Sequence, residues 1–160
     1  MKITTIAALA AVSLLAACAS KPVETGGGGG GGMSSPSTGS IVPGTQEDLV
    51  ANVGDRVFYE LNKSSLTDEA QATLDKQAAW LAKYPNVRVQ VAGNADDRGT
   101  EEFNLALGNR RANADRDFLV AKGVSTDRIS TISYGKDRPT ALGDNEQAWA
   151  QNRNAITSVH

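Results

Sequence analysis

The chain has 160 residues, a formal charge of -2 and a pI of about 5.4. That length holds one ordinary domain with flanking segments, and the acidic balance lacks the basic face that a nucleic-acid footprint needs. A single cysteine excludes an internal disulfide and a four-cysteine metal site, and the single histidine, His160, stands at the last position, where it is solvent-exposed rather than a ligand.

Residues 1–17 read as an export signal. Lys2 supplies the positive start, and ITTIAALAAVSLLAA is an apolar run too short and alanine-rich for a good membrane span. LAAC, Leu15 to Cys18, resembles the lipobox of bacterial lipoproteins. The resemblance implies cleavage before Cys18 and a diacylglycerol on its thiol. With Ala19 rather than aspartate next, it also implies transfer to the periplasmic face of a Gram-negative outer membrane. Each buried methylene would contribute about 0.8 kcal/mol to that anchor. An ordinary signal peptide with an incidental cysteine is the alternative. Residues 18–46 then read as a tether: KPVETGGGGGGGMSSPSTGS cannot bury a core. About 28 such residues span roughly 25–30 Å and reach about 90 Å when extended. The glycine run satisfies GxGxxG trivially, but no strand precedes it and no helix follows, so neither a dinucleotide nor any other cofactor is expected.

The folded domain is expected over residues 47–160. RVFYEL (Arg56–Leu61) alternates and is rich in strand formers. Thr67 can cap a helix over DEAQATLDKQAAWLAKY, whose stripe is Ala70, Leu74, Ala78 and Leu81 and which Pro85 stops. VRVQVAG (Val87–Gly93) alternates strictly, as a strand with one buried face does. Residues 100–122 are helical in composition, with Gly123 as a C-cap. RISTISYG is a strand, NEQAWAQNR a short helix and AITSV a last strand. The class is α+β, in the order β-α-β-α-β-α-β, with helices packed on a mixed four-stranded sheet. Trp80, Phe118 and Leu119 read as core.

GNADDRGTEEFN, running into LALGNRRANADR, is where chemistry concentrates. Asp96 follows a strand, and Arg111 lies in the next helical segment. In one straight helix from residue 101, Arg111 would sit roughly 15 Å along the axis. Gly108 and Asn109 are poor helix residues and good caps, so a break near Gly108 is expected, swinging Arg111 back over the loop. A carboxylate and a guanidinium a few ångströms apart suit a free amino-acid head group. The carboxylate accepts from the ammonium, and the guanidinium clamps the carboxylate. The same spacing also allows Asp96 and Arg111 to pair with each other, or both to face water.

The stretch GNADDRGTEEFNLALGNRRANA resembles the signature of the OmpA-like peptidoglycan-binding domain, Gly-His/Tyr-Ala/Thr-Asp-x-x-Gly-Ser/Thr-x-x-Tyr-Asn-x-x-Leu-Ser/Gly-x-x-Arg-Ala. ISYGKDRP (Ile132–Pro139) and QNRNA are similar to the lipoprotein branch that works with the Tol proteins. The resemblance implies a two-layer OmpA-like domain that grips the diaminopimelate stem of peptidoglycan without covalent chemistry. It also implies a tether between outer membrane and wall that serves envelope integrity and cell division, with TolB and TolA as partners. Site roles it implies are Asp96 as carboxylate ligand, Arg111 as guanidinium, Asn104 as supporting amide, Asn62 in the first strand–turn, and Arg153 before the last strand. A wall-binding lipoprotein without Tol partners is the alternative. A wall hydrolase is disfavoured: Asp96 and Asp97, adjacent in sequence, rarely face one sugar bond from two sides, and no nucleophile–histidine set exists.

Five positions depart from the family pattern: Glu60 for aspartate, Asn94 for histidine or tyrosine, Phe103 for tyrosine, Asp115 for an apolar residue and Asn154 for arginine. Asp115 falls on the stripe Gly108, Ala112, Leu119. Unpaired, it would cost several kcal/mol or take up a proton. Its expected partner is Arg111, one turn back, which would make it a competitor of the ligand. Replacing it with valine should then raise the denaturation midpoint.

Overall fold

The structure is a computed structural model, described over residues 41–160. The expected export signal, Cys18 and the expected tether up to residue 40 lie outside the described residues. The elements are α1 (Gln46–Asn52), β1 (Arg56–Phe58), α2 (Asp68–Lys83), β2 (Val89–Asn94), α3 (Glu101–Ala121), a single 3-10 turn (Thr126–Arg128), β3 (Ile129–Gly135), α4 (Glu146–Asn152) and β4 (Asn154–Val159). The strands form one sheet in the order β1-β4-β2-β3. β2 and β3 run parallel, as a crossover through α3 requires, and β4 is antiparallel to both β1 and β2. The expected β-α-β-α-β-α-β order holds, with α1 added in front of it.

Local chemistry starts and stops the helices. Thr45, Thr67, Thr100 and Asn145 each accept a backbone N–H from the first turn of the helix that follows. α3 ends as its glycine foretells. Gly123 has φ +97°, its N–H reaches the carbonyl of Val120, and Val124 N–H reaches Leu119, the paired bonds of a Schellman cap. α1 gives a weak signal because it is short. It is held by Leu49 in the core and by Asp48, which accepts from Gly44 N–H, Asn52 Nδ2 and Trp80 Nε1 at 2.7–2.9 Å. These donors hold the Asp48 carboxyl below its ordinary range. The core lies between the sheet and α2 and α3, around Leu74, Leu81, Val91 and Leu119. Trp80 belongs to it, and Phe118 packs half-buried at its edge.

Two expectations fail here. α3 is unbroken from Glu101 to Ala121 and passes through Gly108 without a cap. Gly108 serves a contact instead. A Cβ on Gly93 would lie 1.8 Å from the Gly108 carbonyl oxygen, and a Cβ on Gly108 would lie 2.6 Å from the Gly93 oxygen and 2.3 Å from Ser133 Oγ. Two facing glycines let helix backbone and strand backbone touch. That contact offsets the cost of about 1 kcal/mol that glycine carries in a helix. Replacing Gly93 with alanine should therefore lower stability by at least about 2 kcal/mol, read as a reduced urea midpoint. An unshifted midpoint would show that the layers separate freely. The second failure is in β2, which buries one face over Val89–Val91 but both faces at Ala92–Asn94, because the C-terminal end of the strand is roofed by residues from the other end of the chain.

Candidate functional site

The roof is built around Asn94 and Asn154, two of the five positions that depart from the OmpA-like pattern. Asn94 Nδ2 donates to Asn154 Oδ1 at 2.8 Å, while Asn154 Nδ2 donates to Thr140 Oγ1 and to the Gln151 carbonyl. Both asparagines are buried. Asn94 and Asn154 thus form one buried amide pair, and neither position makes full sense without the other.

Beyond Asn94 the chain leaves β2 and reaches Asp96, whose neighbours Ala95 and Asp97 line a cleft of about 180 Å³ together with Lys136, Pro139, Asp144 and Asn152 among others. Asp96 is only 4% exposed. Its Oδ2 accepts from Arg98 Nη2 at 2.6 Å and Arg153 Nη1 at 3.4 Å, and its Oδ1 accepts from the Arg98 backbone N–H. Burial pushes this carboxyl up. The Arg98 guanidinium, helped by Arg153, pulls it down further, so it lies below its usual range and is ionised at neutral pH. Asp97, next to it, is exposed. Arg153 is a fixed strut: Nε donates to the Tyr59 carbonyl and Nη2 to Glu146 at 2.6 Å.

Arg111 reaches this region by another route. With α3 straight, its side chain leans toward the helix N-terminus, as helical side chains do, and comes under the loops. Nε donates to the Lys63 carbonyl, Nη1 to Asn94 and Nη2 to Glu60, at 2.7–3.0 Å. The guanidinium also lies over the Tyr59 ring, 5.0 Å from its centroid. Its exposure is 0%, and burial lowers its pKa to about 10, so it stays charged. Arg111 therefore ties the turn at residues 60–63 to the end of β2. It makes no direct ion pair with Asp96, whose cations are Arg98 and Arg153.

The remaining residues singled out in the sequence take supporting places. Asn62 adopts φ +57° in that turn, a left-handed conformation that asparagine tolerates better than most residues, and its side chain is exposed. The turn is closed by Lys63 N–H on the Glu60 carbonyl and by the Lys63–Glu60 ion pair. Asn104, 1% exposed, donates to the Arg98 carbonyl and so holds the loop from beneath. Phe103 is exposed, so the hydroxyl it lacks relative to tyrosine is not one that a buried partner needs.

Asp115 does not pair with Arg111, contrary to expectation. Arg111 leans away toward the N-terminus of α3, and Asp115, leaning the same way, meets Tyr59. The Tyr59 hydroxyl contacts Asp115 Oδ1 and also lies 3.1 Å from the Arg111 carbonyl. Asp115 is wholly buried, and its Oδ2 has no partner. Burial raises its pKa to about 7, with Tyr59 pulling back only in part. The Tyr59 hydroxyl donates to Asp115 Oδ1, and the unpartnered, buried Oδ2 suits the protonated acid.

Arg98, Glu146, Trp149 and Tyr59 belong to the site but were not singled out in the sequence. Arg98 was legible, standing inside the quoted motif between Asp97 and Gly99. Glu146 and Trp149 carry no local signal and arrive only through the packing of α4. Among the described residues no group of His, Cys, Asp and Glu could hold a metal ion, and no helix is long and apolar enough to cross a membrane.

The OmpA family profile matches residues 58–153, a span from the last residue of β1 through α2, β2, α3, β3 and α4. A peptidoglycan-associated lipoprotein of Rhizobium meliloti is 55% identical over 119 residues, 74% of this chain and 68% of that protein. One of Mesorhizobium japonicum is 47% identical over 152 residues, 95% of this chain and 89% of that protein. The crystal structure of the peptidoglycan-associated lipoprotein from Burkholderia pseudomallei superposes with a TM-score of 0.65 at 40% identity, covering 66% of this chain and 90% of that one. The C-terminal domain of Helicobacter pylori MotB shares the fold, with a TM-score of 0.62 at 22% identity. These peptidoglycan-associated lipoproteins are named for association with peptidoglycan. By the match across more than half of its length and by these relatives, the chain belongs to the OmpA family.

Proposed function

We propose that this protein binds the diaminopimelate stem of peptidoglycan non-covalently and tethers the outer membrane to the wall. The observation that carries the reading is Asp96. It is an ionised carboxylate, almost buried beside a cleft that its neighbours Ala95 and Asp97 line, already holding an organic cation from the protein itself. The ammonium of a free amino-acid head group is such a cation. Its carboxylate goes to Arg111, whose terminal nitrogens each keep a second N–H after donating to Asn94 and Glu60. Because Arg111 is fully covered, this binding requires the turn at residues 60–63 to lift from it. Asn62 and Asn104 shape the two loops, and Arg153 fixes Asp96. Lipidation of Cys18 supplies the membrane end, and TolB and TolA are the partners to seek, since the relatives are peptidoglycan-associated lipoproteins.

The test uses the domain with purified sacculi and with a stem tripeptide containing diaminopimelate. The protein should co-sediment with sacculi, leave the muropeptide profile unchanged and bind the tripeptide. Asp96→Ala should weaken tripeptide binding at least about 30-fold, the loss expected for a charge-assisted bond in a buried site. Equal binding by Asp96→Ala would end this reading, and release of wall fragments would move the protein to the hydrolases.

A further inference from the structure

We propose that Arg98 is an internal latch: its guanidinium occupies the place of the ligand ammonium on Asp96, and binding moves it onto Glu146 along the face of Trp149 that it already covers. The inference rests on the head-group reading above and adds a residue that competes for the same carboxylate.

The two cations on Asp96 are not equivalent. Arg153 has a 10% exposed side chain and is pinned by the Tyr59 carbonyl and by Glu146 as well as by Asp96. Arg98 has a 35% exposed side chain, and its contact with Asp96 is the shorter one. Asp96 is nearly closed off, so no outside cation can meet it until one of these two leaves, and Arg98 is the one with somewhere to go. Its Nη1 already lies 3.8 Å from Glu146 Oε2, and its guanidinium carbon stands 4.1 Å from the centroid of the Trp149 ring. An arginine over a tryptophan face is attracted by the ring quadrupole, and Glu146 is 65% exposed and can accept a second cation. The latched arrangement is also imperfect for Arg98, whose Nε–H is buried without an acceptor. Asp96, Arg98, Glu146 and Arg153 form a neutral quartet. A ligand ammonium entering it takes over the countercharge to Asp96 as Arg98 transfers to Glu146.

A latch lowers apparent affinity by the fraction of molecules that are open. For a partly exposed pair that factor is modest, about three- to tenfold. Arg98→Ala should therefore bind the diaminopimelate tripeptide about three- to tenfold more tightly than wild type, by calorimetry. Glu146→Gln, which keeps an acceptor for Arg153 but removes the charge that receives Arg98, should bind more weakly, and the double variant should return to the Arg98→Ala affinity. A purely structural Arg98 would give weaker binding in Arg98→Ala and an additive double variant, and either result overturns the latch. If wild type and Arg98→Ala both fail to bind in an Asp96-dependent way, the head-group reading fails. The latch is then judged alone by NMR titration of the Asp96 carboxyl: a rise in its pKa in Arg98→Ala supports it, and an unchanged value overturns it.

Discussion

Arg111→Met should lower the stability of the domain by about 3 kcal/mol, although methionine fills much of the same space. Arg111 satisfies the carbonyls of Glu60, Lys63 and Asn94 from within the structure. Losing their donors costs about 1–3 kcal/mol for each carbonyl that stays buried. The sum is reduced because the turn at residues 60–63 is exposed and can open to water, and because a buried guanidinium no longer has to be desolvated. Arg111→Lys should recover little of the loss. An ammonium on a flexible stem cannot present three donors in the fixed planar fork that this geometry uses. The check is a urea midpoint combined with hydrogen exchange: the midpoint should fall, and amides over residues 60–66 should exchange faster than those of α3. Unchanged exchange in that turn would mean Arg111 does not hold it.

A second large effect comes from Asp115 and has the opposite sign. The folded protein raises this carboxyl to about 7 from an ordinary value of 3.8. The folded state therefore keeps a proton that the unfolded chain releases, and folding is favoured by low pH. Stability should fall as pH rises from about 4 to about 7 and then level off, since both states are ionised above that window. At 1.36 kcal/mol for each pKa unit, the ionisable group costs on the order of 4 kcal/mol above pH 7. Asp115→Asn mimics the neutral acid, its amide oxygen accepting from the Tyr59 hydroxyl as Asp115 Oδ1 does. That variant should be more stable than wild type by on the order of 4 kcal/mol at pH 8 and by only about 1–2 kcal/mol at pH 5. Asp115→Val should follow the same direction. A stability difference that does not change between pH 5 and pH 8 would show that Asp115 titrates normally and that its burial is relieved in some other way.

Asp115 also shows how far a stripe of residues can be read. Its position on the core face of α3 was legible from spacing, and so was the penalty for a carboxylate there. Its partner was not. Arg111, four residues away, looked nearest in sequence, yet helical side chains lean toward the N-terminus, so Arg111 turns away and Tyr59, 56 positions distant, meets the acid. Gly108 failed for a related reason. As local chemistry it is a helix stop; opposite Gly93 it is the place where two backbones touch. The Asn94–Asn154 pair explains two odd substitutions by one hydrogen bond between residues 60 apart.

Caps, turns and periodicities act over three to five residues, so the order of the strands and of the helices after α1, the cap at Thr67 and the stop at Gly123 were legible in the sequence alone. Only the tertiary structure decided who neutralises the Asp96 carboxylate. Arg98 comes from the same loop, but Arg153 lies 57 positions away, and Glu146 and Trp149 come with α4. Charges buried from water are satisfied by whatever packing brings within about 3 Å, and the chain's order along its length does not set that distance.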